Sequence, residues 1–114
     1  MKITSAPVTQ GTGIRFSLMD DQNIECGHAY LYVLYNDIHS EPFGFIEDVF
    51  VEPDNQGKGY GTQLVERLIE EAQNQGCYKL IGTSRESRPK VHEFYQKLGF
   101  ELYGREFRMN VTKE

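Results

Sequence analysis

The sequence predicts an α/β (α+β) fold: a mixed, mostly antiparallel central sheet with packed helices, in the order β-β-β-α-β-α-β. Three observations lead there. The first half holds three strand-type runs separated by turn residues. A glycine-rich turn then feeds an amphipathic helix. After it, a short apolar run, a second amphipathic helix and a final apolar run complete the chain.

Residues 13–21, GIRFSLMDD, alternate Ile14, Phe16 and Leu18 with polar neighbours, the period of a half-buried strand. Residues 24–36, IECGHAYLYVLYN, are rich in Tyr, Leu and Val and form the next strand. Asp20, Asp21, Gln22 and Asn23 supply the turn, so the two runs make an antiparallel hairpin. A loop over 36–42, closed by Pro42, precedes a third strand at 43–51. In the helix after the glycines, Leu64, Val65, Leu68, Ile69 and Ala72 make one apolar stripe, and Gly76 fits the C′ position. YKLIGTS at 78–84 reads as a strand parallel to the third, because a strand–helix–strand connection is right-handed. Ser87 caps the next helix, Pro89 sits in its first turn, and Val91, Phe94, Tyr95 and Leu98 are its apolar stripe before Gly99. FELYGREFRMNV, 100–111, is the last strand, with Gly104 at a bulge.

At 114 residues the chain is one domain over 1–114, with a single core. Hydrophobic residues at 39% and charged residues at 25% give a globular rather than disordered composition. No run approaches the roughly 18 apolar residues of a membrane span, and MKITSAPVTQ lacks an apolar signal core. A net charge of −5 argues against a nucleic-acid partner and suits a cationic one. Cys26 and Cys77 fit no metal spacing and read as thiols of a cytoplasmic protein. His92-Glu93 starts a zincin-like pattern, but Gln96 stands where the second histidine belongs, so no metal is expected.

QGKGYG, residues 56–61, opens straight into the first helix. A helix start leaves about four backbone N–H groups without intrahelical partners and carries the positive end of the dipole. Without side chains at Gly57, Gly59 and Gly61, phosphate oxygens can approach those groups. The plainer alternative is a tight turn that binds nothing. A Walker loop is excluded because Gly59 follows Lys58, and the dinucleotide fingerprint because Thr62 and Leu64 occupy the positions of its third glycine.

What remains, Q-x-x-G-x-G from Gln56 to Gly61, resembles the acetyl-CoA pyrophosphate loop of the GNAT superfamily of N-acetyltransferases. FYQKLGF at 94–100 resembles a second motif of that family, and FIEDVFVEP at 45–53 its central strand. The resemblance covers roughly residues 43–100. It implies an acyl-CoA N-acyltransferase-like fold, acetyl-CoA as co-substrate, and transfer to a primary amine: a small amine, polyamine, amino acid derivative or protein amino group. Family members usually carry two helices between their first and second strands, and residues 4–13 leave no room for them. The expectation is a compact variant whose cleft is unusually open or closed by a second subunit, as in a homodimer.

Amide formation needs a neutral amine, and taking the proton from a Lys-like amine at pH 7 costs roughly 4–5 kcal/mol. A carboxylate base is therefore required. Glu47 and Asp48 lie on the third strand, where alternation lets only one face the cleft. Glu47 stands nine residues before Gln56, the spacing of the proposed base in the polyamine acetyltransferase branch, so Glu47 leads and Asp48 is the alternative. The resemblance places Tyr95 near the coenzyme sulfur, as donor to the leaving thiolate. It also sets main-chain groups of Val49, Phe50 and Val51 along the coenzyme arm, with one N–H polarising the thioester carbonyl. Gln56, Gly57, Lys58, Gly59, Tyr60, Gly61 and Thr62 would hold the pyrophosphate. The family's usual asparagine is Arg88 here; Arg88, Arg85 or Lys90 would meet a phosphate instead. With no cysteine in either motif, direct attack in a ternary complex is favoured over an acyl-enzyme. The rival reading is a catalytically silent module that binds acyl-CoA and regulates a partner.

Overall fold

The computed structural model describes residues 1–84 and 87–112. Two compact units are present, Met1–Gly82 and Thr83–Glu114.

The first unit is a four-stranded sheet in the order β1-β2-β3-β4, with one helix packed on it. Its strands are β1 (Gly11–Met19), β2 (Glu25–Leu34), β3 (Phe43–Val51) and β4 (Leu80–Ile81), and α1 (Tyr60–Asn74) connects the last two. β1 and β2 form the expected antiparallel hairpin. Its turn is fixed by Asp20, whose Oδ1 accepts from the N–H groups of Gln22 and Ile24, each at 2.9 Å. β3 is antiparallel to β2 and parallel to β4, so the sheet is mixed as predicted.

Alternation along β2 sends Ala29, Leu31 and Val33 to the core and His28, Tyr30 and Tyr32 to the opposite face. The core is completed by Cys26 and Ile46 and by Leu64, Val65, Leu68 and Ala72 of α1. Gly44 is required by close packing, since a Cβ there would stand 2.8 Å from Leu80 Cδ1 and 3.2 Å from Leu31 Cδ1. Leu31 is fully buried. Leu31→Ala is expected to cost about 2–5 kcal/mol, read as a lowered urea midpoint with a little-changed slope.

In the second unit, α2 (Pro89–Lys97) carries Val91, Phe94, Tyr95 and Leu98 as a half-buried stripe and stops at Gly99, φ 101°. Three expectations are corrected. The cap is Arg88, not Ser87, and no side chain bonds to the helix start. The strand expected over 78–84 shrinks to Leu80–Ile81, held through Gly44 N–H to Lys79 O at 2.9 Å. Most significantly, residues 100–111 form no strand and Gly104 no bulge. Apolar alternation does not make a strand without a hydrogen-bonded neighbour, and here Leu102, Tyr103, Phe107, Met109 and Val111 are 70–96% exposed.

Candidate active site

The third strand carries the geometry that matters. Its pairing with β2 runs Tyr30↔Glu47 and then His28↔Phe50. Two residues, Asp48 and Val49, thus stand opposite Ala29 alone, which is a β-bulge. Asp48 has φ 51°, and Asp is among the few non-glycine residues that accept the left-handed region. At the bulge Glu47 and Asp48 are both exposed, so burial does not choose between the two candidate bases. The bulge also gives Asp48 a conformational reason to be there. Asp48→Val is expected to lower stability by about 1–2 kcal/mol in denaturant titration, and Asp48→Gly to be nearly neutral.

Beyond the bulge the strand has a free edge. Pairing with β4 covers only Gly44 and Phe45, so from Glu47 to Val51 that side has no ladder partner among the described residues. Glu52 N–H donates to Cys26 O at 2.9 Å and so points toward β2. By strand alternation Phe50 also turns its main-chain groups to β2, while Val49 and Val51 turn theirs to the open edge. Of the three residues expected to bond a ligand through the main chain, Phe50 thus has its main-chain groups turned to β2. The Val51 carbonyl is occupied as well, because Gln56 Nε2 donates to it at 3.0 Å. Gln56 therefore ties the loop to the strand, leaving the Val49 groups and the Val51 N–H at the edge.

The chain then passes through a 3-10 turn, Pro53–Asn55, into the glycine loop. Gly57 and Gly59 have φ 80° and 81°, and Gly59 is the N-cap of α1. No side chain caps this helix, so its first N–H groups, at Tyr60, Gly61 and Thr62, face water or a ligand. Nothing lies within 4 Å of a Cβ built at either glycine. What demands glycine here is the backbone conformation, and the space beside it is open. Lys58 is exposed on the same loop.

Tyr95 and Arg88 belong to the second unit. The Tyr95 ring meets Phe94 and Phe100 edge-on, with centroids 5.4 and 5.2 Å apart. Phe94, expected as packing alone, is half-buried in that cluster. Arg88 is exposed, and its carbonyl accepts from Val91 N–H at 3.0 Å. Lys90 is exposed, and Arg85 lies outside the described residues. Among the described residues, no three His, Cys, Asp or Glu side chains converge as a metal site, and no helix is long and apolar enough to cross a membrane.

Sequence reasoning missed a cluster on the outer sheet face. Arg15 Nη2 lies 2.7 Å from both Glu25 oxygens, Nη1 donates to the Tyr30 hydroxyl, and Nε donates to Ser17 Oγ at 3.3 Å. Hydrogen bonds from Arg15 and Ser17 hold the Glu25 carboxyl below the usual range. A depressed carboxyl stabilises the fold above its unfolded pKa, near 4.3, and loses that contribution as pH falls through the folded value. Urea midpoints of wild type and Glu25→Gln are therefore expected to differ at pH 7 and to converge in acid. The signal in the sequence was the odd-numbered polar set Arg15 and Ser17, facing away from Ile14 and Phe16.

The chain matches the model of the Acetyltransferase (GNAT) family over residues 11–100, and it belongs to that family. It is 43% identical over 68 residues to a glucosamine 6-phosphate N-acetyltransferase of Trypanosoma brucei brucei, covering 60% of this chain and 44% of the relative. It is 34% identical over 83 residues to an L-methionine sulfoximine/L-methionine sulfone acetyltransferase of Pseudomonas aeruginosa, covering 68% of this chain and 47% of that one. The aligned region thus spans less than half the length of either relative. The crystal structure of a Trypanosoma brucei acetyltransferase superposes with a TM-score of 0.79 at 31% identity, over 87% of this chain and 69% of the other.

Proposed function

We propose that this chain transfers an acetyl group from acetyl-CoA to the primary amine of a small molecule by direct attack in a ternary complex. One observation carries the reading. Among the described residues the outer edge of β3 is unpaired from Glu47 to Val51, and one 3-10 turn, Pro53–Asn55, carries the chain from it to the positive-φ glycines and the uncapped start of α1. An extended arm ending in a diphosphate fits such a track: main-chain bonding along the strand, then N–H groups and a helix dipole at the phosphates. Gly57, Gly59, Gly61 and Thr62 take the pyrophosphate, with Lys58, Tyr60 and Gln56 framing the loop. The Val49 N–H polarises the thioester carbonyl as an oxyanion donor does.

Glu47, exposed on the same strand, takes the ammonium proton directly or through water; Asp48 is the alternative base. The amine then attacks the carbonyl carbon, the C–N bond forms, and the C–S bond breaks. The leaving thiolate collects a proton from Tyr95, a role that rests on its place in FYQKLGF, and the second proton shed by the amine nitrogen restores the phenol through water. Unperturbed phenol and thiol values make this donation uphill by roughly 2 kcal/mol, so it must accompany C–S cleavage. Tyr95→Phe is expected to lower kcat while leaving acetyl-CoA affinity intact; an unchanged kcat would remove Tyr95 from the reaction. Arg88 is assigned to a coenzyme phosphate, and the chemistry calls for no metal. Free-thiol release across a panel of amines tests the reading as a whole.

Two further assignments belong to it. The acidic balance and the two free thiols support a cytoplasmic setting without a nucleic-acid partner. The exposed apolar side chains of Leu102, Tyr103, Phe107, Met109 and Val111 support a homodimer, since covering apolar surface that water would otherwise contact is favourable. A solution mass of a single chain at micromolar concentration would refute the dimer.

A further inference from the structure

Building on the acetyl-transfer reading, we infer that the sheet face opposite α1 selects a small cationic amine with a ring or alkyl body and no phosphate, its ammonium seated at Glu47. Directly paired residues share a face, so Tyr30 stands beside Glu47, with Cβ atoms about 4.5–5.5 Å apart. One row away along the strands lie Tyr32 and Phe45, and on the other side lie His28 and Phe50. Glu47 is thus a carboxylate with aromatic rings to both sides.

The rings form a continuous strip. Centroid separations are 5.4 Å for His28–Phe50, 5.9 Å for His28–Tyr30 and 6.3 Å for Tyr30–Tyr32. Phe50 and Tyr32 remain 42% and 38% exposed, so their surfaces are open to a ligand. A carboxylate flanked by π faces attracts an ammonium through charge and ring quadrupole together. An aromatic or alkyl body gains apolar contact on the same strip.

Charge on this face also excludes. Among the residues of the four strands it presents one permanent cation, Arg15, and that guanidinium is already paired with Glu25. Both Glu25 oxygens, the Tyr30 hydroxyl and Ser17 Oγ take its N–H groups, and it lies against the Tyr30 ring at 5.3 Å from the centroid. A phosphate placed beside Glu47 would meet the carboxylates of Glu25 and Glu47, while the Lys79 ammonium lies two rows away over the Phe43 ring, 5.5 Å from its centroid. Tyr30, its oxygen held by Arg15, is fixed in place as the floor beside Glu47.

The test is binding of phenethylamine, followed by NMR on the His28, Tyr30 and Tyr32 rings of the whole chain, with glucosamine and glucosamine 6-phosphate compared in the same way. Phe50→Leu and Tyr32→Leu should each weaken phenethylamine by about fivefold, leaving acetyl-CoA affinity and thermal midpoint near wild type. Glucosamine 6-phosphate should bind more weakly than glucosamine. Phenethylamine binding unchanged in both leucine variants, or tighter binding of the phosphorylated sugar, overturns the inference. Thiol release separates it from the reading beneath. Ring-dependent binding without thiol release from acetyl-CoA would uphold the amine surface and defeat acetyl transfer. Turnover of amines with ring-independent binding would do the reverse.

Discussion

Replacing Glu47 with glutamine is expected to lower kcat by about 10²–10⁴-fold, the usual contribution of a positioned general base. Acetyl-CoA affinity should hold, because the carboxylate projects from the strand's outer face while the proposed coenzyme track would use main-chain groups of Val49 and Val51. The loss should shrink as pH rises toward the amine's own pKa, where the acceptor arrives already neutral. Glutamine keeps the side chain's length and its exposed site, so stability is expected to stay within about 0.5 kcal/mol. If kcat falls only in Asp48→Asn, the roles of the two carboxylates are exchanged.

The second large effect is at Gly59. Its φ of 81° is an outlier for a β-branched residue, and valine there should cost about 1–2 kcal/mol of stability. Ligand binding should suffer more. A Cβ at this position meets no protein atom within 4 Å, so it projects into the space assigned to the diphosphate. Gly59→Asn separates the two contributions, since asparagine accepts the left-handed region but still carries a side chain. The expectation is near-normal stability with acetyl-CoA affinity reduced at least about tenfold, read by calorimetric titration; unchanged affinity in Gly59→Asn would take the loop out of coenzyme binding.

The sequence made much of the first unit legible. Phe43–Val51 was bounded correctly because Pro42 and Pro53 bracket a run of β-formers. Gly76, at φ 77°, ends α1 as its C′ residue because glycine is the common solution there. The bulge at Asp48 was not legible. No glycine marks it, and alternation on either side looks regular until β2 is paired against it. That single inserted residue changes where Asp48 stands in the strand and decides which main-chain groups reach the edge. The segment 100–111 misled for a different reason. Its composition favours a strand, but a strand is a property of two chain segments, and sequence pattern reports only one.

The most direct test is a crystal of this chain grown with acetyl-CoA, alongside thermal unfolding at 100 times the dissociation constant. The account predicts a diphosphate against the N–H groups of residues 57–62, a thioester beside the Val49 N–H, and about 2.7 kcal/mol of added stability. A coenzyme bound elsewhere, or no stabilisation at saturating concentrations, would contradict it.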